Sequence, residues 1–179
     1  MLKYIKKNKN EGFTLLEAII AIAVLLVAVT SASGLVISSL QGLHMTRNRV
    51  TAAYLAQEGI EVVRNIRDTN WINGNPYNAG LGESINAYCI EYNGTGLISP
   101  PCGDGYKLYL NPSGFYVHNS AGADTTPFER RIFITYLVNP EDDPAVDPDP
   151  PLIQIESVVS WGGAGGGSIT VEDRLYDWQ

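Results

Sequence analysis

From Phe13 to Leu43 the chain is apolar almost without interruption, and from Ala18 to Leu43 it holds no charged residue. Thirty-one residues of this kind predict a helix about 46 Å long, more than a bilayer core requires. Small residues recur in it: Ala18, Ala21, Ala23, Ala28, Ser31, Ala32, Ser33 and Gly34. In lipid such residues let neighbouring helices approach closely. Gly34, with Ser31 and Ser33, marks a weak point where the helix can bend or melt.

After Leu43 the pattern changes but stays helical. Ala52, Leu55, Gly59, Val62 and Ile66 follow a 3/4 spacing, widened by Ala56 and Val63. Arg47, Gln57, Glu58, Glu61, Arg64 and Arg67 fall on the opposite side, with Glu61 and Arg64 spaced to pair. Residues 44–68 therefore predict an amphipathic helix that needs a surface to cover. Asp68-Thr69-Asn70, followed by Asn73-Gly74-Asn75-Pro76, is expected to end it.

Beyond Trp71 the period shifts to two. Segments 87–92, 106–110 and 115–118 are short strand candidates. The clearest strand is Phe128–Val138, with Phe128, Arg130, Ile132, Ile134, Tyr136 and Val138 on one face. Leu152–Trp161 is the next, placing Ile153, Ile155 and Ser157 together while Val158 and Val159 cross the pattern. Ser168–Tyr176 follows a glycine-rich hairpin loop, Gly162–Gly167. A three- or four-stranded antiparallel meander leaves an apolar face open, and the stripe on 44–68 is its natural cover. The expected class is α+β. A long N-terminal helix, hydrophobic then amphipathic, packs on a small antiparallel head spanning 69–179.

Charge gives this layout a direction. Four lysines against Glu11 leave residues 1–12 at +3, so the rest carries −10 of the total −7. Basic residues ahead of an apolar run hold the N-terminus in the cytoplasm and send the C-terminal part across. So acidic an exported part argues against nucleic acid as a partner. Arg130 and Arg131 form the one local basic patch left for it. Cys89 and Cys102 both lie in Gly/Pro/Asn-rich sequence of the exported part, which reads as a disulfide. Closing a loop of about 14 residues is worth roughly 3 kcal/mol in the chain-entropy account.

Candidate chemistry beyond this is sparse. The loop 140–151 holds Glu141, Asp142, Asp143, Asp147 and Asp149 among five prolines. Its oxygens are a weak calcium candidate, but the spacing matches no calcium loop and a solvated acidic loop is the simpler reading. His44 and His118 stand near no nucleophile motif, and no Lys-Ser or Lys-Thr follows the glycines of 162–167. No cofactor is expected. Glu17 is the exception: a carboxylate just inside an apolar run costs about 2.5–3.5 kcal/mol at a helix centre, less near an end. Something must offset that cost.

Lys9-Asn10-Glu11-Gly12-Phe13-Thr14-Leu15-Leu16-Glu17 resembles the N-terminus of type IV prepilins and pseudopilins. The resemblance implies cleavage between Gly12 and Phe13 by a prepilin peptidase, N-methylation at Phe13, and a role for Glu17 in assembly. It implies other pilin subunits and an inner-membrane assembly platform as partners. Thr51–Glu61 and Leu175-Tyr176-Asp177-Trp178 look most like PilV-type minor pilins or I-type minor pseudopilins. The resemblance further implies a non-enzymatic subunit. It would be made as a single-pass inner-membrane precursor with its head outside the cytoplasm, then enter an extracellular or periplasmic filament. The segments expected are a leader at 1–12, a filament-core helix at 13–43, an amphipathic helix at 44–68 and the head. Glu17 would then pair with a subunit's N-terminal ammonium, fixing the stagger of bundled helices. Rival readings are a type II secretion pseudopilin and a pilus-tip adhesin or DNA-uptake subunit. An ordinary secretory signal cut near Ser31-Ala32-Ser33 is disfavoured, because the apolar stretch is too long and gives Glu17 no purpose.

Overall fold

The computed structural model describes residues 12–82, 87–94, 96–100, 102–137, 152–163 and 166–176. One helix, α1 (Leu15–Ile72), precedes five strands: β1 (Lys107–Leu110), β2 (Tyr116–Val117), β3 (Asp124–Leu137), β4 (Leu152–Trp161) and β5 (Gly167–Leu175). The chain divides into two compact units between His44 and Met45.

In the first unit the described residues leave α1 largely uncovered. Leu25, Leu26 and Val27 are each more than half exposed, as are most of the large apolar side chains before Leu43. By length and composition α1 is the one helix among the described residues able to cross a membrane. Four of its hydroxyls are satisfied within it. Thr30 donates to the Leu26 carbonyl at 3.0 Å, Ser31 to Val27 at 2.8 Å, Ser33 to Val29 at 2.8 Å and Ser38 to Leu35 at 2.9 Å. Such bonds spare the polar side chains the cost of apolar surroundings. The helix runs unbroken through Gly34.

The second unit is α+β. Its sheet is antiparallel throughout, in the order β2-β1-β3-β4-β5. The C-terminal three strands are the expected meander, and β1 joins the far side of β3. Alternation along β4 is strict: Ile153, Ile155, Ser157, Val159 and Trp161 are buried, while Val158 takes the other face with Gln154 and Glu156. The expected crossing at Val158–Val159 is therefore only a pair of adjacent residues on opposite faces. The segment at 87–92 does not form a strand. It contributes isolated bridges, Tyr88 to Ile132 and Cys89 to Ile98, because the chain turns back at Cys89 toward its own loop.

The second half of α1 covers the sheet. Ala52, Leu55, Ala56, Gly59, Ile60, Val62, Val63 and Ile66 are its buried residues, the predicted stripe with Ile60 added. They feed two apolar clusters. Ala52, Leu55 and Ala56 pack with Leu108, Phe128, Val159 and Trp161. Ile60, Val63 and Ile66 pack with Ile132, Ile134, Ile153, Ile155 and Leu175. Each fully buried residue of this size contributes about 1.5–3 kcal/mol. Gly59 lies between the clusters, and a Cβ there would stand 2.6 Å from Ser157 Oγ and 2.8 Å from Ile132 Cδ1. The glycine sets how closely helix and sheet approach.

α1 runs past Asp68–Asn70 and ends after Ile72, at the second part of the expected stop, Asn73–Pro76. Asn70 donates its side-chain amide to the Tyr77 and Ala79 carbonyls instead, at 3.2 and 2.7 Å. The stop comes at Gly74, in the left-handed region at φ +70°, where Gly74 N–H bonds the Trp71 carbonyl and Asn75 N–H the Asn70 carbonyl. That pair of bonds is a Schellman cap.

Candidate functional site

The candidate site is the start of α1. Gly12, Phe13 and Thr14 precede the helix, which begins at Leu15. Thr14 stands at the N-cap: its hydroxyl accepts from the Glu17 N–H at 3.3 Å and its carbonyl accepts from Ala18 at 3.1 Å. The cap satisfies one of the amides that a helix start leaves unpaired. Glu17 is therefore the third helical residue, in the first turn, where the positive end of the helix dipole favours a carboxylate. Thr-x-x-Glu is the sequence signature of a capping box. Thr14 belongs in the site for this reason. The expectations named Gly12, Phe13 and Glu17 and passed over it, though that spacing could have found it.

Gly12 and Glu17 are exposed, and Phe13 is 74% exposed. Among the described residues nothing lies within 4 Å of where a Gly12 Cβ would stand. A peptide bond in this position, ahead of the first helical turn and clear of neighbours, is open to another protein. The carboxylate of Glu17 is likewise free to meet a charge from outside the unit.

The remaining candidates fall elsewhere. Cys89 and Cys102 are bonded in the head and both are buried. Asp142, Asp143, Asp147 and Asp149, with Glu141, lie outside the described residues, and no cluster of metal-ligating residues occurs among the described ones. The basic patch at Arg130 and Arg131 is not one. Arg130 is fully buried; it donates to the Leu55 carbonyl at 3.1 Å, the Ile90 carbonyl at 2.7 Å and Glu58 Oε1 at 3.2 Å. Arg131, on the other face of β3, bonds Glu129 and lies over the Tyr106 ring. Adjacent strand residues point to opposite faces, so the two cannot form one surface. Glu58, expected on the open side of the helix, turns in as the counter-charge.

A family model, the prokaryotic N-terminal methylation motif, matches residues 7–33. The chain carries a type IV prepilin-like N-terminal signal. No curated protein and no solved structure matches it. The matched residues cover the candidate site and the apolar segment as far as Ser33. The prepilin-like signal thus precedes a long helix packed at its second half on an antiparallel sheet, a pilin-like α+β architecture. Together they support a type IV pilin-like or pseudopilin subunit. An apolar helix directly behind the signal fits a membrane-anchored precursor.

Proposed function

We propose that the chain is a structural subunit of a type IV pilus or related filament, minor-pilin-like, and the substrate of an enzyme rather than one itself. The observation that carries the reading is a prepilin-like signal joined to an apolar helix segment that the described residues leave exposed. In this reading residues 1–12 are a cytoplasmic leader, residues 13–43 the membrane and filament-core segment, 44–68 the amphipathic helix and 69–179 the head. Prepilin peptidase cuts between Gly12 and Phe13 and methylates Phe13. The exposed, unhindered Gly12 supports that access.

Cleavage removes the +3 leader and creates an ammonium four residues before Glu17. In low-dielectric surroundings an unpaired Glu17 carboxylate opposes burial, and pairing with an N-terminal ammonium relieves it. Helices then bundle at the stagger that matches charge to charge. Two experiments test this. The intact mass of protein recovered from membranes with an active prepilin peptidase should correspond to a chain starting at N-methyl-Phe13. Glu17→Ala should be cleaved as before but be lost from sheared filaments by about tenfold or more, the order expected for one unmatched buried charge. Filaments of unchanged composition would sink the stagger argument.

A type II secretion pseudopilin is the second reading, since the same signal serves both. Recovery in surface filaments, against retention at the inner membrane, separates the two. Direct DNA binding is disfavoured by the −10 charge and the burial of Arg130.

A further inference from the structure

His118, just past β2, is buried and ties three parts of the head together. Its backbone N–H donates to Glu91 Oε1 at 2.9 Å. Its ring Nδ1 lies 3.0 Å from the Lys107 carbonyl of β1. A carbonyl only accepts, so Nδ1 carries the proton of the neutral ring and Nε2 is left as an acceptor. Its own carbonyl lies against Gly103, beside Cys102, where a Cβ would stand 2.8 Å away. The residue thus holds both the disulfide-closed loop and the β1–β2 edge.

Nε2 is buried and has no hydrogen-bond partner among the described residues. The cation acting on the ring is Arg130, itself buried on β3. Arg130 is balanced by Glu58 of α1, at 3.2 Å, and by the field of Glu91. The acid next to Gly103, Asp104, is engaged by the Tyr109 hydroxyl at 2.8 Å. A second proton on the ring would place an N–H without an acceptor, and a second buried cation, beside Arg130.

We propose that His118 is an acid-sensitive latch: neutral, it holds the 89–102 loop and the β1–β2 edge on the head; protonated, it releases them. The grouping of His118, Arg130, Glu91 and Glu58 carries the proposal. Burial, and then the Arg130 charge, push the ring down to about 4 against the opposing pull of the Lys107 carbonyl. The sign follows from the depressed value. Above about pH 6.5 the ring is neutral in closed and open forms alike. As pH falls toward 4 only the open form takes the proton, so the closed form loses stability across that window. None of these groups lies on β4 or β5, so the opening is local.

The test is hydrogen exchange on the full chain in detergent, corrected for intrinsic rates, between about pH 7 and about pH 5. Protection over 87–94 and 102–118 should fall by about tenfold per pH unit below about 6.5, with β4 and β5 unchanged. His118→Asn keeps an amide donor for the Lys107 carbonyl but cannot titrate, and should abolish the fall. A flat wild-type response overturns the latch. So does an equal fall in the variant, which would assign the effect to Glu91 or Glu58. Should the variant not fold, NMR titration of His118 in the wild type decides: a value well below about 6.5 supports the latch, and a value near 6.5 overturns it.

Discussion

Leu26 and Leu55 are the same side chain on the same helix, one 59% exposed and the other 3%. Around Leu26 the helix neighbours are apolar except Thr30, whose hydroxyl is turned onto the Leu26 carbonyl, and the described residues leave Leu26 exposed. Around Leu55 the apolar residues form a stripe, and Leu108, Phe128, Val159 and Trp161 complete the cluster. Uniform apolarity, with hydroxyls folded back onto carbonyls, suits a segment whose partners lie outside the chain. Stripes suit one whose partner is its own sheet. The head alone also encloses charge: Arg130 sits between the two clusters, held by two backbone carbonyls and Glu58.

That contrast can be broken by substitution, with unfolding followed by tryptophan fluorescence of the full chain in detergent. The largest effect should come from Arg130→Met. It strips the Leu55 and Ile90 carbonyls of a donor and leaves Glu58 without its counter-charge, costing about 3 kcal/mol. Adding Glu58→Leu should recover part of the loss, as an apolar replacement of a whole pair does. A loss under about 1 kcal/mol would mean that the buried charge does little to hold helix to sheet. Gly59→Ala comes next. Gain in helix propensity offsets some of the crowding against Ser157 and Ile132, leaving a net cost of about 1–2 kcal/mol. Stabilisation instead would show that the two side chains yield freely. Leu26→Ala should shift unfolding of the head by less than about 0.5 kcal/mol, whereas removing the same atoms from a core costs about 2–5 kcal/mol. A core-sized loss at Leu26 would erase the distinction between the two regions.

The periodic parts of this architecture were legible in advance. The 3/4 stripe on α1 and the two-residue alternation in β3, β4 and β5 reflect the one face each element buries, and a face leaves a pattern. Cys89 and Cys102 were legible from their setting. What the residues did not announce depends on distant partners. Arg130 could be placed on the inner face of β3, but its acceptors belong to a helix residue and to a loop 75 and 40 positions away. His118 is buried by Lys107, Glu91 and Gly103, none of which its local sequence specifies. Residues 87–92 looked like a strand because Tyr88 and Ile90 are buried apolar residues two apart, yet the same spacing serves a loop pinned at two bridges.

The hydroxyls of Thr30, Ser31, Ser33 and Ser38 have a mechanical meaning. Each is turned onto a carbonyl of its own helix, so against a neighbouring helix these positions behave as small, smooth bumps rather than hooks. At these four positions two such surfaces would offer one another no side-chain hydrogen bond that has to break as they move past. On the proposed reading, position along the axis then needs a detent, which Glu17, the acidic residue of the first turn, would provide. If the chain is the filament subunit proposed above, it would be drawn up from a membrane, moved past its neighbours and stopped at one place, with little in between to hold it.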